Sequence, residues 1–194
     1  MFVLKILGKI LLFLSGWKIV GRIPQVPRTV MIAAPHTSNW DFFYTMVIFS
    51  ALGVRIRFLG KKSLFKFPLG LIMRFFGGIP IDRSKSNNFV SAAAEMINKQ
   101  EKIILLVPVE GTRGYTEQWK SGFYYIAKEA NVPISLGFLD YAKKEGGFFD
   151  DLFYPTGNYV EDLEKIQLYY KDIQGKHPQN SSLYKKFGSK TMIW

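Results

Sequence analysis

A chain of 194 residues, 48% hydrophobic and 16% aromatic, is long enough for one domain with a full-sized core and too apolar for a disordered segment. A formal net charge of +11 implies an anionic partner: phospholipid headgroups, a phosphorylated substrate or nucleic acid. The chain has no cysteine, which excludes disulfides and thiolate chemistry and agrees with a reducing compartment.

The first twenty residues are rich in Leu, Ile and Phe. Lys5, Lys9 and Lys18 interrupt them, so they fall short of the ~20 mostly apolar residues of a bilayer span. On a helical wheel Lys5, Lys9, Ser15, Lys18 and Arg22 share one half. Phe2, Ile6, Leu7, Ile10, Phe13, Leu14 and Trp17 share the other, with Leu4, Leu12 and Ile19 as exceptions on the polar side. The pattern predicts an amphipathic helix over 1–22 that lies in a membrane interface, its cations near lipid phosphates. The competing reading is a helix packed on the domain's own core. No small-residue cleavage site follows the apolar run, which argues against a signal peptide. Two prolines between Arg22 and Arg28 then separate this helix from a domain over 23–194.

Within that domain, strands are predicted at 29–34, 54–60, 78–82, 103–107 and 132–139, and helices at 39–52, 87–99, 119–130 and 161–173. Residues 65–76 are apolar with weakened helical character, 146–158 read as aromatic and turn-rich, and the tail from Gly175 reads as polar. The alternation predicts an α/β fold: a single domain with a mostly parallel central sheet flanked by helices, plus the N-terminal amphipathic helix.

Four segments carry chemistry. His36 and Asp41 directly follow the first predicted strand. A histidine takes a proton from a substrate hydroxyl, and a nearby carboxylate orients it and stabilises its charged form. Ser38-x-x-Asp41 also has the form of a capping box, which would turn the Asp41 side chain back toward His36. In the second segment, Gly78-Ile79-Pro80-Ile81-Asp82-Arg83, an arginine stands at the carboxyl end of a strand, where a guanidinium can grip a phosphate. The third, Glu110-Gly111-Thr112-Arg113, follows the most strand-like run in the chain and is hard to justify as packing. Its glycine admits close approach of an anion, Thr112 adds a hydroxyl and Arg113 a charge, and Lys120 extends the cationic pocket. The fourth, Val132-Pro133-Ile134, opens a strand and carries no reactive side chain. No His/Cys/carboxylate cluster has metal-ligand spacing, and His177 reads as a loop residue of the polar tail.

Taken in order, these four segments resemble the glycerolipid acyltransferase family, the one that contains 1-acylglycerol-3-phosphate acyltransferases. The resemblance implies transfer of an acyl chain from a thioester to a lysolipid hydroxyl in membrane lipid synthesis, with 1-acylglycerol-3-phosphate as acceptor. It implies His36 as general base, Asp41 as its orienting partner, and Arg83, Glu110, Gly111, Thr112, Arg113 and Lys120 as the acceptor-binding set. It implies no bound cofactor, the donor being a substrate, either acyl-coenzyme A or acyl-acyl carrier protein. Its partners would be a membrane lipid surface, the lysolipid and the carrier thioester, with no nucleic acid, and its place the cytoplasmic face of the cell membrane as a peripheral or monotopic protein. The chain departs from the family pattern at Pro35, at Val109 and after Ile134. These departures widen the acceptor to another lysolipid or an amino-acid lipid. From a different class, the charge alone suggests a non-catalytic lipid- or nucleic-acid-binding module, against which the cations are scattered and no RNA- or DNA-binding signature is present.

Overall fold

The computed structural model describes residues 2–81 and 89–188. The most apolar runs of the chain form its centre: β2 (Arg28–Ala34), β5 (Ile103–Pro108) and β6 (Ile134–Asp140), largely buried on both faces as befits a parallel sheet covered on each side. β3 (Arg57–Lys61) and β4 (Gly78–Ile81) extend the sheet beyond β5, and β7 (Glu145–Phe153) and β1 (Lys18–Val20) extend it beyond β6. The order is β1-β7-β6-β2-β5-β3-β4. Every neighbouring pair is parallel except β6 and β7. The predicted α/β domain with a mostly parallel sheet is therefore what the chain forms.

Alternate residues of each strand serve two cores. On one face α2 (Asn39–Leu52) and α3 (Leu69–Phe75) set Met46, Phe49 and Met73 against Met31, Phe58 and Leu106. On the other, α4 (Phe89–Asn98), α5 (Gly122–Ala130) and α6 (Tyr159–Tyr169) set Ile97, Phe123, Ile126 and Ile166 against Val30, Ile32, Leu105 and Ile134. A short last helix, α7 (Ser182–Phe187), adds Leu183 to that second core.

The N-terminal helix is α1 (Phe2–Ser15). It packs on α2 through Gly8 and Leu12, the residues of α1 that are buried. A Cβ at Gly8 would stand 2.7 Å from the Ala51 amide nitrogen, so the two backbones approach as closely as they do only because that position is glycine. Leu4 and Leu12, exceptions on the wheel, belong to this narrow contact stripe, while Phe2, Ile6, Ile10, Phe13 and Leu14 stay exposed.

Several boundaries differ from the sequence expectation. The N-terminal helix ends at Ser15, where the Trp17 amide turns back to the Leu12 carbonyl, and residues 18–20 join the sheet as β1, paired with β7. Residues 146–158, read as aromatic and turn-rich, supply most of β7: their Gly and aromatic content hid a strand that is buried over residues 146–148 and exposed at Asp150 and Asp151. The strand expected from residue 54 begins at Arg57, because Gly53 caps α2 in the left-handed region and Val54 still bonds to Phe49. Of the segment 65–76 only Leu69–Phe75 is helical, as α3; Phe65 ends a 3-10 turn that begins at Lys62. The helix expected from residue 119 begins at Gly122, with Trp119 buried ahead of it. Among the described residues no helix is long and apolar enough to cross a membrane.

Candidate active site

The carboxyl ends of β2, β5 and β6 lie at one edge of the sheet, the edge where α/β folds place their ligands. The loop after β2 carries His36. Ser38 caps α2, its hydroxyl accepting from the Trp40 amide, and Asp41 completes the capping box that the sequence predicts. Such a cap stabilises a helix by about 1 kcal/mol. Here it also fixes a carboxylate: Asp41 Oδ2 accepts from the Thr37 and Ser38 amides at 2.8 and 2.9 Å and lies 3.1 Å from His36 Nδ1.

Asp41 is buried, and burial alone would raise its pKa; hydrogen bonds from His36, the Ser38 amide and Tyr141 outweigh that and hold it below the usual carboxylate range. An ionised Asp41 makes Nδ1 the protonated nitrogen of a neutral imidazole, which leaves Nε2 with a free lone pair. His36 lines a cavity of about 920 Å3, near the upper end of the roughly 300–1,000 Å3 usual for small-molecule sites. Phe42, Phe49, Phe58, Phe138 and Phe148 supply much of its apolar wall, and Asn39, Thr112, Arg113 and Lys120 its polar end.

Tyr141, on the turn after β6, was not anticipated. Its hydroxyl donates to Asp41 Oδ1 at 2.8 Å, and burial together with the Asp41 charge pushes its pKa upward, so it stays a donor. Trp17 packs edge-on against its ring at 4.9 Å and stacks on Tyr44 at 4.2 Å. The segment 174–177, which leads into the tail read as polar, closes the arrangement: the Gln174 carbonyl accepts the Tyr141 amide, and Thr37 Oγ1 accepts the His177 amide. The one available signal for Tyr141 is positional, since it directly follows a strand parallel to that of His36. A separation of 100 residues hides the contact with Asp41 from any local motif.

The loop after β5 brings Gly111, Thr112 and Arg113 to the cavity. Gly111 has φ +67°, and a Cβ there would press on the Lys120 side chain at 3.3 Å. Lys120 is held beside it by the hydrogen bond that its backbone amide donates to the Val109 carbonyl at 2.7 Å, in a loop and not in the expected helix. Arg113 donates to Asn39 Oδ1, and its carbonyl accepts from Asn180.

Glu110 is not brought to the cavity with them. It is fully buried, and neither carboxyl oxygen meets a hydrogen-bonding partner among the described residues. Burial pushes its pKa up to about 7, partly offset by its own and the His36 backbone amide and by the nearby His36 ring. Its side chain therefore stands behind the site and not among the groups that face the cavity. Arg83, expected at the carboxyl end of β4, and Asp82 before it lie outside the described residues. Among the described residues no group of three or more His, Cys, Asp or Glu could hold a metal ion.

Fold and site together define an α/β protein with a His-x4-Asp dyad at the carboxyl edge of its sheet, opening on a largely apolar cavity. The Acyltransferase family model matches residues 20–135, and the chain belongs to that family. It is 30% identical over 115 residues to human 1-acyl-sn-glycerol-3-phosphate acyltransferase beta, covering 57% of this chain and 41% of that protein. The chain thus spans less than half the length of this relative. In fold it is similar to the crystal structure of the 1-acyl-sn-glycerophosphate (LPA) acyltransferase PlsC from Thermotoga maritima, with a TM-score of 0.55 and 16% identity, over 98% of this chain and 79% of that one.

Proposed function

We propose that this acyltransferase moves a fatty acyl chain from an acyl thioester to the hydroxyl of a lysolipid, with 1-acylglycerol-3-phosphate as acceptor. The observation that carries the reading is the His36–Asp41 contact of 3.1 Å beside a cavity whose walls are mostly aromatic and aliphatic. Nε2 of His36 takes the proton of the acceptor hydroxyl as its oxygen attacks the thioester carbonyl. Collapse of the tetrahedral intermediate breaks the carbon–sulfur bond, and the imidazolium returns the proton to the departing thiolate. Asp41 stabilises the imidazolium between these steps. The apolar wall takes an acyl chain. Arg113 and Lys120 supply the charge for the acceptor's phosphate, with Arg83 completing the set. The donor is a coenzyme A or acyl carrier protein thioester, a substrate and not a resident cofactor. The exposed apolar face of α1, with Lys5 and Lys9 beside it, supports a peripheral seat on an anionic leaflet such as the cytoplasmic face of the cell membrane.

An assay in mixed micelles tests this: palmitoyl thioesters of both carriers against lysophosphatidic acid, neutral and zwitterionic lysolipids and an amino-acid lipid. Preference for lysophosphatidic acid is the expected result. Preference for a neutral or zwitterionic acceptor would overturn the acceptor assignment, and no transfer to any of them would overturn the reaction.

Tyr141 acts through Asp41, so Tyr141→Phe is a positioning variant. It removes the donor to Asp41 Oδ1 and is expected to lower stability by about 1–2 kcal/mol, as loss of a hydrogen bond to a charged group does. The same order of energy lost at the transition state lowers kcat roughly tenfold, with KM nearly unchanged. Steady-state kinetics of the variant check it, and a rise in KM at constant kcat would assign Tyr141 to binding instead.

A further inference from the structure

The layer of α1, α2 and α3 carries two clusters of large exposed apolar side chains. One is the outer face of α1. The other is the segment from the 3-10 turn through α3, where Phe67, Leu71 and Phe75 stand free, Phe67 with 86% of its surface exposed. The spacing of four residues puts Leu71 and Phe75 on one ridge of α3, while Met73 and the following Phe76 pack inward against α2 and the sheet. Scattered apolar residues are ordinary on a protein surface; a contiguous ridge of this kind marks a partner.

Charge narrows the choice of partner. Residues 1–81 hold eleven Lys and Arg and a single acid, Asp41, whereas residues 82–194 hold fifteen Lys and Arg against fourteen acids. Asp41 is buried, so the part of the chain that carries both apolar clusters presents its cations with no exposed acid of its own. Around the α3 ridge Lys61, Lys62, Lys66 and Arg74 are all exposed. A second copy of the chain would bring the same cations against each other. Aromatic and aliphatic groups that project from a ring of cations match the acyl boundary of an anionic bilayer, where long basic side chains reach back to the phosphates. The ridge also adjoins the cavity: Leu64, Leu69 and Met73 of this segment line it, and Leu64 and Leu69 are at the same time exposed.

We propose that the segment 64–75 is a second membrane-inserting element, docking with α1 into an anionic phospholipid surface and seating that wall of the cavity on the bilayer. The proposal deepens the membrane-surface reading above and rests on it for the choice of lipid as partner.

The chain has no cysteine, so single cysteines report on insertion directly. Leu71→Cys on α3, Phe13→Cys on α1 and Glu129→Cys on the opposite helical layer would each carry an environment-sensitive fluorophore. The full chain is then mixed with vesicles of phosphatidylglycerol and phosphatidylcholine. The labels at 71 and 13 are expected to shift to the blue and brighten, the label at 129 to stay as it is, and the response to fade at high salt. A shift at 13 without one at 71 overturns the proposal, as does no shift at either, and an equal response to pure phosphatidylcholine removes the anionic surface. Phe75→Cys repeats the test one turn on. In the triple variant Phe67→Ser, Leu71→Ser, Phe75→Ser, vesicle partitioning is expected to fall roughly tenfold or more with the thermal midpoint unchanged; wild-type partitioning would overturn the proposal. None of these readouts needs turnover. Insertion at Leu71 in a protein that transfers no acyl chain refutes the reaction and leaves the second membrane element standing.

Discussion

His36→Ala is expected to lower kcat for acyl transfer by about 10³, within the range that a positioned general base contributes, and to leave the fold intact. The separation is possible because His36 is not what holds its own loop. Asp41 keeps the Thr37 and Ser38 amides and the Tyr141 hydroxyl when the imidazole is removed, so the cap of α2 persists. Circular dichroism and the thermal midpoint of the variant should match the wild type. Asp41→Ala gives the contrasting result, because it removes the acceptor for those three donors together with the partner of the imidazole. Activity and stability should fall together there, stability by roughly 2–4 kcal/mol for donors left unpaired in a buried loop. Acyl transfer retained to within tenfold in His36→Ala would remove the imidazole from the chemistry.

The dyad was legible because it is local. A strand, a proline and a capping box fall within a few residues, and the side-chain direction of the first helical turn follows from backbone geometry. The central strands were legible for a similar reason, being unbroken apolar runs. What the sequence concealed is what depends on tertiary placement. β1 is three residues at the end of a helix-like pattern and is a strand only because β7 offers it an edge. β7 alternates poorly because it is buried at one end and exposed at the other. Tyr141 and the 174–177 strap reach Asp41 and Thr37 across the fold, and no spacing in the sequence records that. The motif 110–113 was legible as a unit but not in its parts. Its polar residues look equivalent on paper, yet Gly111, Thr112 and Arg113 face the cavity while Glu110 points behind it.

That reversal of Glu110 has a measurable consequence. Burial raises its carboxyl from 4.5 to about 7, against the opposing influence of the His36 imidazole and amide, while the Asp41 charge adds to the rise. Tyr170, fully buried in the same core, is pushed up in turn by burial and by the Glu110 charge. Below about pH 4.5 the folded and unfolded chains both hold the proton, and Glu110 carries no penalty. As pH rises from there through about 7, the unfolded chain releases the proton first, so stability declines. The full difference is about 3 kcal/mol by linkage. Glu110→Gln cannot ionise, keeps the volume, and should abolish this slope. Denaturant unfolding of both proteins at pH 5 and pH 8 is therefore expected to show a larger loss for the wild type by roughly 2–3 kcal/mol, part of the penalty being present already at pH 5. Parallel pH dependence in the two proteins would show that Glu110 is already ionised and paired in the fold. Because its carboxyl stands apart from the cavity, the same variant is expected to keep KM for the lysolipid within about twofold, as follows when a change leaves uniform binding intact. A carboxyl that gripped the acceptor would raise KM on conversion to the amide and leave the stability slope alone, so the two measurements together decide whether the acid of this motif meets the substrate or supports the loop that does.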